Sequence, residues 1–285
     1  MGQHLGPSGR TPGGATVSRR FVTDTVSVIL AENPSPMTLE GTNTWILQAP
    51  GDSGAGGAVV VDPGPDLAEH VDRLVSVGGI ELVLVTHRHR DHTGAIDSLH
   101  QRTGAPVRAA LAEHCRDAEP LTGGEILHAG GLQVQVMHTP GHTSDSLSFV
   151  VTQISEDGTP LTHVFTGDTV LGRGTTMIDH PDGTLADYLA TLGRLEALAS
   201  GPAEVLGLPG HGEVLRDLAG SCAALQEHRV ARLEEVRAAA DQLGPDAELL
   251  TDRIYPDVPE GARRAAVRSI EAQLEYLDTA LENRT

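Results

Sequence analysis

The feature that most constrains this chain is a cluster of three histidines and one aspartate within six residues, at the end of a predicted strand. The segment 81–87, ELVLVTH, has the continuous apolar character of a strand that is buried on both faces. Alternate side chains of an extended segment point to the same side, so His87, His89 and Asp91 are expected to converge. His92 is expected to turn in at the start of the following helix. Histidine and carboxylate are the usual ligands of catalytic zinc, so the cluster predicts a metal site.

Three later predicted strands each end in another residue of the same kinds. These residues are His142 after strand 132–138, Asp168 after strand 162–167, and His211 in the short strand and turn at 204–212. Small residues beside each of them allow the backbone to approach a site closely. Taken singly, each is better explained as a turn residue or a cap. Taken together and in this order, they are predicted to join the first cluster.

The rest of the pattern alternates between short β-rich segments and amphipathic stretches with helical spacing. Strands are predicted at 25–30, 43–47, 58–62, 81–87, 106–110, 132–138, 146–152, 162–167 and 204–212, and helices at 66–77, 93–103 and 184–200. After Cys222 the pattern is helical to the end of the printed sequence. Two successive sets of strands and helices indicate an α+β fold, with two sheets packed together and helices outside.

We divide the chain into a Gly- and Pro-rich flexible tail at 1–20, a main domain at 21–220 and a small helical domain at 221–285. The tail contains arginines but lacks the apolar core of a secretory signal. No apolar run approaches the roughly 18 residues of a membrane helix, so no membrane association is expected. Cys115 and Cys222 form no CxxC pair, which favours free thiols and a cytoplasmic location.

Charge narrows the classes of function. All 20 basic residues are arginine, which excludes Schiff-base chemistry through a lysine. The net charge of −19 disfavours binding to the phosphate backbone of a nucleic acid, although a local basic patch could still provide it. A small-molecule substrate is therefore expected. The apolar stripe of the last predicted helix is typical of core packing or of a homodimer interface.

The acidic and histidine residues at the strand ends form an ordered series. In chain order they are Asp62, the segment His87 to His92, His142, Asp168 and His211. This series resembles the pattern of the metallo-β-lactamase superfamily, Asp, HxHxDH, His, Asp, His, over roughly residues 22–220. The resemblance implies an αββα sandwich, with the metal ions at one edge of the hydrolase domain.

The resemblance also implies seven ligands for two metal ions, expected to be zinc, with iron or manganese as alternatives. One ion would bind His87, His89 and His142. The other would bind Asp91, His92 and His211. Asp168 would bridge both ions, and Asp62 would hold a ligand in place without binding a metal. This set without cysteine is similar to that of glyoxalase II and its relatives.

Such a set predicts a hydrolase that uses a metal-bridging hydroxide, because metal binding lowers the pKa of water from about 15.7 towards about 7. Asp91 is expected to orient this hydroxide in addition to binding a metal. Arg173, in the glycine-flanked loop 172–176, is a candidate clamp for a carboxylate or phosphate of the substrate. The alternative is that Arg173 pairs with Asp179 or Asp182 and only supports the loop.

A second resemblance spans nearly the whole chain. The segments NPSPMTLEGTNTWIL, VVVDPG, GDTVLGRGTT and the HR…IY…P helical tail are similar to the β-lactamase-like protein 2 family. That family implies a C-terminal winged-helix-like domain, although the printed sequence leaves little length for a wing. One member of the family is an endoribonuclease acting on single-stranded RNA. The acidic charge favours hydrolysis of a small thioester or ester instead. The endoribonuclease and an iron-dependent sulfur dioxygenase of the same fold are the alternatives.

Seven other histidines are interpreted as non-ligands. His70, His100, His114, His128 and His180 are predicted at the surface or in turns, and His138 and His163 on the polar faces of strands. Arg88 and Arg90 alternate with the predicted ligands, so they are expected to point away from the metals.

Overall fold

The computed structural model describes residues 19–49, 56–154 and 158–282. Its first sheet has six strands in sequence order. They are β1 (Arg19–Phe21), β2 (Val26–Leu30), β3 (Asn43–Leu47), β4 (Ala58–Val61), β5 (Ile80–Leu84) and β6 (Val107–Arg108). Pairing is antiparallel as far as β4 and parallel from β4 to β6. The parallel half needs crossovers, which contain the helices α1 (Ala68–Val75), α2 (Arg90–Thr93) and α3 (Ile96–Thr103).

The second sheet has five strands in the order β11-β10-β9-β8-β7. They are β7 (Ile126–Ala129), β8 (Leu132–His138), β9 (Leu147–Ile154), β10 (Pro160–Gly167) and β11 (Glu204–Pro209). Strands β7 to β10 form an antiparallel meander, and β11 pairs in parallel with β10 after a crossover through α4 (Leu185–Ala199). The loops that follow β5, β10 and β11 contain candidate ligand residues.

The two sheets pack on a shared aliphatic core, with helices on both outer faces. Only 2% of the chain is aromatic, so valine and leucine fill most of this core. Its largest side chains, Trp45 and Phe165, come from opposite sheets and meet edge to face, with ring centroids 6.1 Å apart. Separate apolar clusters join the first sheet to α1 and α3 and the second sheet to α4. This is the helix–sheet–sheet–helix sandwich that was predicted.

Three helices follow the sandwich: α5 (Leu218–Leu243), α6 (Ala247–Ile254) and α7 (Glu260–Glu282). The side chains of Asp217 and Asp246 cap α5 and α6 by accepting hydrogen bonds from backbone N–H groups of the first turn. Helix α5 packs against α4 and β11, and α7 also contacts α4. Among the described residues after β11 there is no strand, so no wing is observed, and the domain boundary at 220 stays a prediction. No helix of the described chain is long and apolar enough to cross a membrane.

Several local predictions differ from the structure. Strands β1 and β7 were not predicted, and the predicted tail lies outside the described residues except for Arg19 and Arg20, which belong to β1. His70 and His163, predicted to be solvated or on a polar strand face, are both fully buried. Burial lowers the pKa of each to about 4, so both are neutral core residues near neutral pH.

Candidate metal centre

The candidate ligands lie in loops that follow the carboxyl ends of strands. Strand β5 ends at Leu84, and the chain then runs without regular structure through His87 and His89 into α2. Asp91 and His92 both lie on α2, so the expected extended alternation stops before Asp91. The helical turn nevertheless directs both side chains into the same cluster as the two preceding histidines.

The first group of candidate ligands consists of three imidazoles, and we call it the histidine triad. Its members are His87, His89 and His142, and their ligand atoms lie within 4.8 Å of one another. The Nδ1 atom of His89 is 3.0 Å from Nε2 of His87 and 3.0 Å from Nε2 of His142. Three ring nitrogens thus converge on one point, which is an arrangement that can hold a metal ion.

The second group combines a carboxylate with two imidazoles, and we call it the mixed triad. Its members are Asp91, His92 and His211. Oδ2 of Asp91 lies 3.3 Å from Nε2 of His92 and 3.1 Å from Nε2 of His211. Both imidazoles are buried, and the Asp91 side chain is 26% exposed. The carboxylate is therefore the most accessible member of this triad.

Asp168 stands between the two triads. Its carboxylate oxygens lie 3.3 Å from Nε2 of His211 and 3.4 Å from Nε2 of His92. On the other side, Oδ2 lies 4.0 Å from Nε2 of His87 and 3.9 Å from Nε2 of His142. One carboxylate therefore faces both groups of donors.

The outer nitrogen of each imidazole donates a hydrogen bond to the protein. The five pairs are His87 with Thr86 Oγ1, His89 with Asp179 Oδ2, His92 with Asp62 Oδ2, His142 with the Met177 carbonyl, and His211 with the Gly41 carbonyl. A neutral imidazole has one N–H, so the inner nitrogen keeps its lone pair. In addition, buried His92 Nε2 and Asp168 Oδ1 have no hydrogen-bond partner in the described chain. The residues present thus fit metal ions, which would satisfy these inner atoms.

Asp62 supports the mixed triad from beneath. It is 1% exposed, and its carboxylate accepts hydrogen bonds from the backbone N–H of Thr86 at 2.7 Å and from its hydroxyl at 2.8 Å. The same carboxylate accepts from Nδ1 of His92 at 2.8 Å. Asp62 adopts φ +57°, a backbone conformation that costs on the order of 1 kcal/mol and that surrounding contacts must impose.

A glycine carbonyl supports the other imidazole of the mixed triad. The carbonyl of Gly41 accepts the hydrogen bond of His211 Nδ1 at 3.0 Å. Gly41 has φ +143°, and a Cβ added there would lie 2.0 Å from the carbonyl oxygen of Ala31. Only glycine can therefore place this carbonyl at the His211 ring, which explains why the EGTN segment needs a glycine at position 41.

The support of the histidine triad includes a residue that sequence reasoning did not assign to the centre. Asp179 is 5% exposed and lies 3.3 Å from Nε2 of His89. It also binds Arg88 at 2.6 Å and Arg268 of α7. Arg88 binds Asp179 and Asp182 and none of the candidate ligands among the described residues, and Asp179 is the residue that holds His89. No local pattern marks Asp179, because its partners lie about 90 residues away on either side.

Arg173 pairs with neither Asp179 nor Asp182. Its guanidinium binds Glu40 at 2.6 Å, and its side chain is 56% exposed. The alternative that it pairs with Asp179 or Asp182 is wrong, since both bind Arg88. Its role as a substrate clamp stays a prediction.

The electrostatics of the two triads differ. Burial lowers the pKa of all three members of the histidine triad, that of His142 to about 4, so these imidazoles are neutral. Burial would raise the pKa of Asp168, but His211 and His92 outweigh this effect and hold it well below its usual range. Burial would likewise lower the pKa of His211, yet Asp168 and Asp91 raise it to about 10. Metal binding requires neutral imidazoles and ionised carboxylates, so the histidine triad and Asp168 already have the required form, whereas an ion at the mixed triad would displace a proton from His211.

A cavity of about 290 Å³ opens beside His142 and Asp168. One wall comes from the loop 36–39 and the segment 171–177 of the sandwich. The opposite wall comes from the C-terminal helices, including Arg229 of α5 and Ala266 of α7. The C-terminal helices therefore shape the space next to the candidate metal centre.

Comparison with known proteins gives three findings. The family model of the metallo-beta-lactamase superfamily matches residues 37–211. A beta-lactamase-like protein 2 homolog of Caenorhabditis elegans is 30% identical over 281 residues, covering 92% of this chain and 88% of the relative. An atrochrysone carboxyl ACP thioesterase of Cryptosporiopsis is 30% identical over 223 residues, which cover 75% of this chain. The match covers 62% of that thioesterase, so the chain spans less than two thirds of its length.

A solved structure supports the fold. The crystal structure of a metallo-beta-lactamase family protein from Thermus thermophilus superposes with a TM-score of 0.73. The alignment covers 91% of this chain and 95% of that protein, at 22% sequence identity. At this identity the likeness concerns the arrangement of helices and strands, including the helices after the sandwich, and not the chemistry.

Proposed function

The chain belongs to the metallo-beta-lactamase superfamily, and on this basis we propose that it is a dinuclear metal-dependent hydrolase of a small thioester or ester. The observation that carries the proposal is the orientation of five imidazoles. Each uses its outer N–H for a protein acceptor and turns its inner nitrogen towards other candidate ligands. Such a set of nitrogen and oxygen donors suits zinc, and iron or manganese less closely.

We assign one ion to the histidine triad and one to the mixed triad, with Asp168 shared between them. When bound, two such ions act as Lewis acids and lower the pKa of water enough to give a nucleophile at neutral pH. Asp62 and the Gly41 carbonyl keep His92 and His211 in the tautomer that ligation needs. Asp91 is the proposed orienting carboxylate, because one oxygen faces the imidazoles of the mixed triad while its side chain remains 26% exposed.

The choice of a thioester or ester rests on two supports. The relative from Cryptosporiopsis is named as a thioesterase of an acyl carrier protein. The net charge of −19 disfavours a long anionic substrate. The endoribonuclease alternative follows only from the family resemblance. A relative that matches over 92% of the chain is named beta-lactamase-like protein 2 homolog, and that name states no substrate.

The test is a parallel assay of the metal-replete protein on a panel of acyl thioesters and on single-stranded RNA, with metal content measured on the same sample. We expect close to two metal ions per chain and turnover of thioesters, and the His87→Ala variant should lose at least one ion. The matched control is His128→Ala, since His128 lies outside the metal centre on strand β7. Cleavage of RNA without thioester turnover would favour the alternative, and a metal-free protein after metal-supplemented expression would end the proposal.

A further inference from the structure

Arg229 is a buried cation that has no counterion among the residues the structure describes. This residue of α5 is 2% exposed, and no carboxylate of the described chain lies within 4.0 Å of its guanidinium. Its Nη2 donates a hydrogen bond to the Thr176 carbonyl, and its guanidinium carbon lies 5.2 Å from the centre of the Tyr188 ring. Its Nε atom has no hydrogen-bond partner in the described chain.

Such an arrangement is unfavourable for the protein alone. An arginine cannot lose its proton, so burial without a counterion leaves a charge that water no longer solvates. One carbonyl, together with the ring and hydroxyl of Tyr188, compensates only part of this loss. Uncompensated buried charges are found where a ligand neutralises them, because binding sites tolerate a local loss of stability that the rest of a fold does not.

The other arginine in the lining of this cavity is already neutralised. Arg173 binds Glu40 and is 56% exposed. An anionic ligand would have to displace a carboxylate from it. Arg229 has no such competitor in the described chain, so it is the cation with the most to gain from an anion.

The position of Arg229 connects it to the metal centre. Thr176, whose carbonyl accepts its hydrogen bond, also places its hydroxyl 3.1 Å from Nδ1 of His142. Arg229 lines the same cavity of about 290 Å³ as His142 and Asp168. The cavity wall between these polar ends is largely apolar and is formed by Met37, Leu171, Val258 and Ala266, among others.

We propose that Arg229 is an anion-binding residue that receives a carboxylate or phosphate monoester of the substrate while the bond to be hydrolysed lies at the metal centre. The guanidinium fork matches two oxygens of either group. The apolar wall would contact the part of the substrate between its anionic group and its acyl carbon. The identity of the substrate class rests on the proposed function, whereas the anion site itself does not.

Binding and turnover are measured on the full-length, metal-replete protein. Calorimetry uses glutarate and inorganic phosphate as probes. Turnover uses two matched pairs of thioesters: succinyl and butyryl N-acetylcysteamine, which differ by a carboxylate, and butyryl phosphopantetheine and butyryl pantetheine, which differ by a phosphate. The variants are Arg229→Gln and Arg229→Lys. The control is Arg237→Gln, an exposed position on the same helix whose arginine is paired with Glu234.

Arg229→Gln should weaken binding of the preferred probe by at least about tenfold and raise KM by a similar factor for the matching anionic thioester only. Arg229→Lys should recover part of the loss, because an ammonium keeps the charge but not the fork. Arg237→Gln should behave like the unchanged protein. A larger KM change within the succinyl and butyryl pair indicates a preference for carboxylate. A larger KM change within the phosphopantetheine and pantetheine pair indicates a preference for phosphate.

Thermal unfolding distinguishes a ligand-binding arginine from a structural one. Without ligand, Arg229→Gln should melt no lower than the unchanged protein, because an uncompensated charge has been removed. A lower Tm with unchanged probe binding would overturn the proposal, as would equal losses on charged and neutral thioesters. If Arg229→Gln does not fold, the Arg229→Lys binding data decide. Anion binding that depends on Arg229 in a protein without thioester turnover would support the site and contradict the proposed function.

Discussion

The two triads of the metal centre are held in different ways. The mixed triad is held from within the sandwich, by Asp62 beneath His92 and by the Gly41 carbonyl at His211. The histidine triad depends in part on Asp179, which Arg268 of α7 binds from outside the sandwich. Exposure does not follow this division, since each triad has one partly exposed member, Asp91 at 26% and His89 at 25%.

This difference assigns a role to the C-terminal helices. The support of the mixed triad comes from loops of the sandwich itself. A support that needs α7 is complete only when the last helix has packed against the loop at Asp179. The C-terminal helices therefore support the histidine triad more than the mixed triad.

The largest effect is expected where the two halves meet. Asp168→Ala should reduce turnover by orders of magnitude, because this carboxylate faces both triads. The fold should persist, since strands supply most of the core of a domain this large. Turnover, metal content and circular dichroism are measured together. Near-normal turnover in a folded protein with its full metal content would show that Asp168 is not shared.

A smaller and unequal loss is expected from Asp62→Ala, because Asp62 contacts His92 of the mixed triad directly but reaches His87 of the histidine triad only through the Thr86 hydroxyl. Loss of a residue that orients a ligand typically weakens metal affinity about 10–100-fold. Competition with a chelator should then remove one ion well before the other, and the ion retained should be the one at the histidine triad. Asp66→Ala, a neighbouring change at an exposed carboxylate that accepts a hydrogen bond from Ser98, is the control. Equal weakening of both ions would contradict the separate supports.

Arg268→Gln should act on the opposite half, and more weakly. It leaves Asp179 bound to Arg88, so we expect the metal affinity of the histidine triad to fall by about tenfold, the lower end of the usual range of about 10–100-fold. Chelator competition on this variant should release the ion of the histidine triad first, the reverse of Asp62→Ala. Arg264→Gln, an exposed position on the same helix, provides the matched control. If Arg268→Gln instead loosens the mixed triad, the proposed division is wrong.

The smallest effect is expected from Arg173, which supports neither triad. Its pair with Glu40 is exposed, and such pairs contribute about 0–1 kcal/mol. Arg173→Ala should therefore raise KM for an anionic substrate only a few-fold and leave both metal affinities unchanged. Michaelis curves for matched charged and neutral substrates test this. A change in KM above tenfold for the anionic substrate alone would restore Arg173 as the main clamp.

Much of the fold was predictable because it depends on local periodicity. Strands β3 and β8 were predicted with their observed bounds, and α4 within one residue at each end. The candidate ligands were predictable for a related reason. Strand ends that carry histidine or aspartate in a fixed order bring those residues to one edge, whatever the detailed path of the loops. The path itself was not predicted, since α2 begins at Arg90 and ends the extended segment.

The sequence by itself determined the sandwich and the group of residues that meet at its edge. Apolar periodicity predicts each strand and helix from a few neighbouring residues, and the candidate ligands stand at the ends of these strands. Only the tertiary structure decided which charges are paired. Asp179 meets Arg268 across 89 positions, Arg173 meets Glu40 across 133, and Arg229 meets no carboxylate in the described chain. No local pattern encodes these partners, because a buried charge is stabilised by whatever group the packed fold brings within a few ångströms.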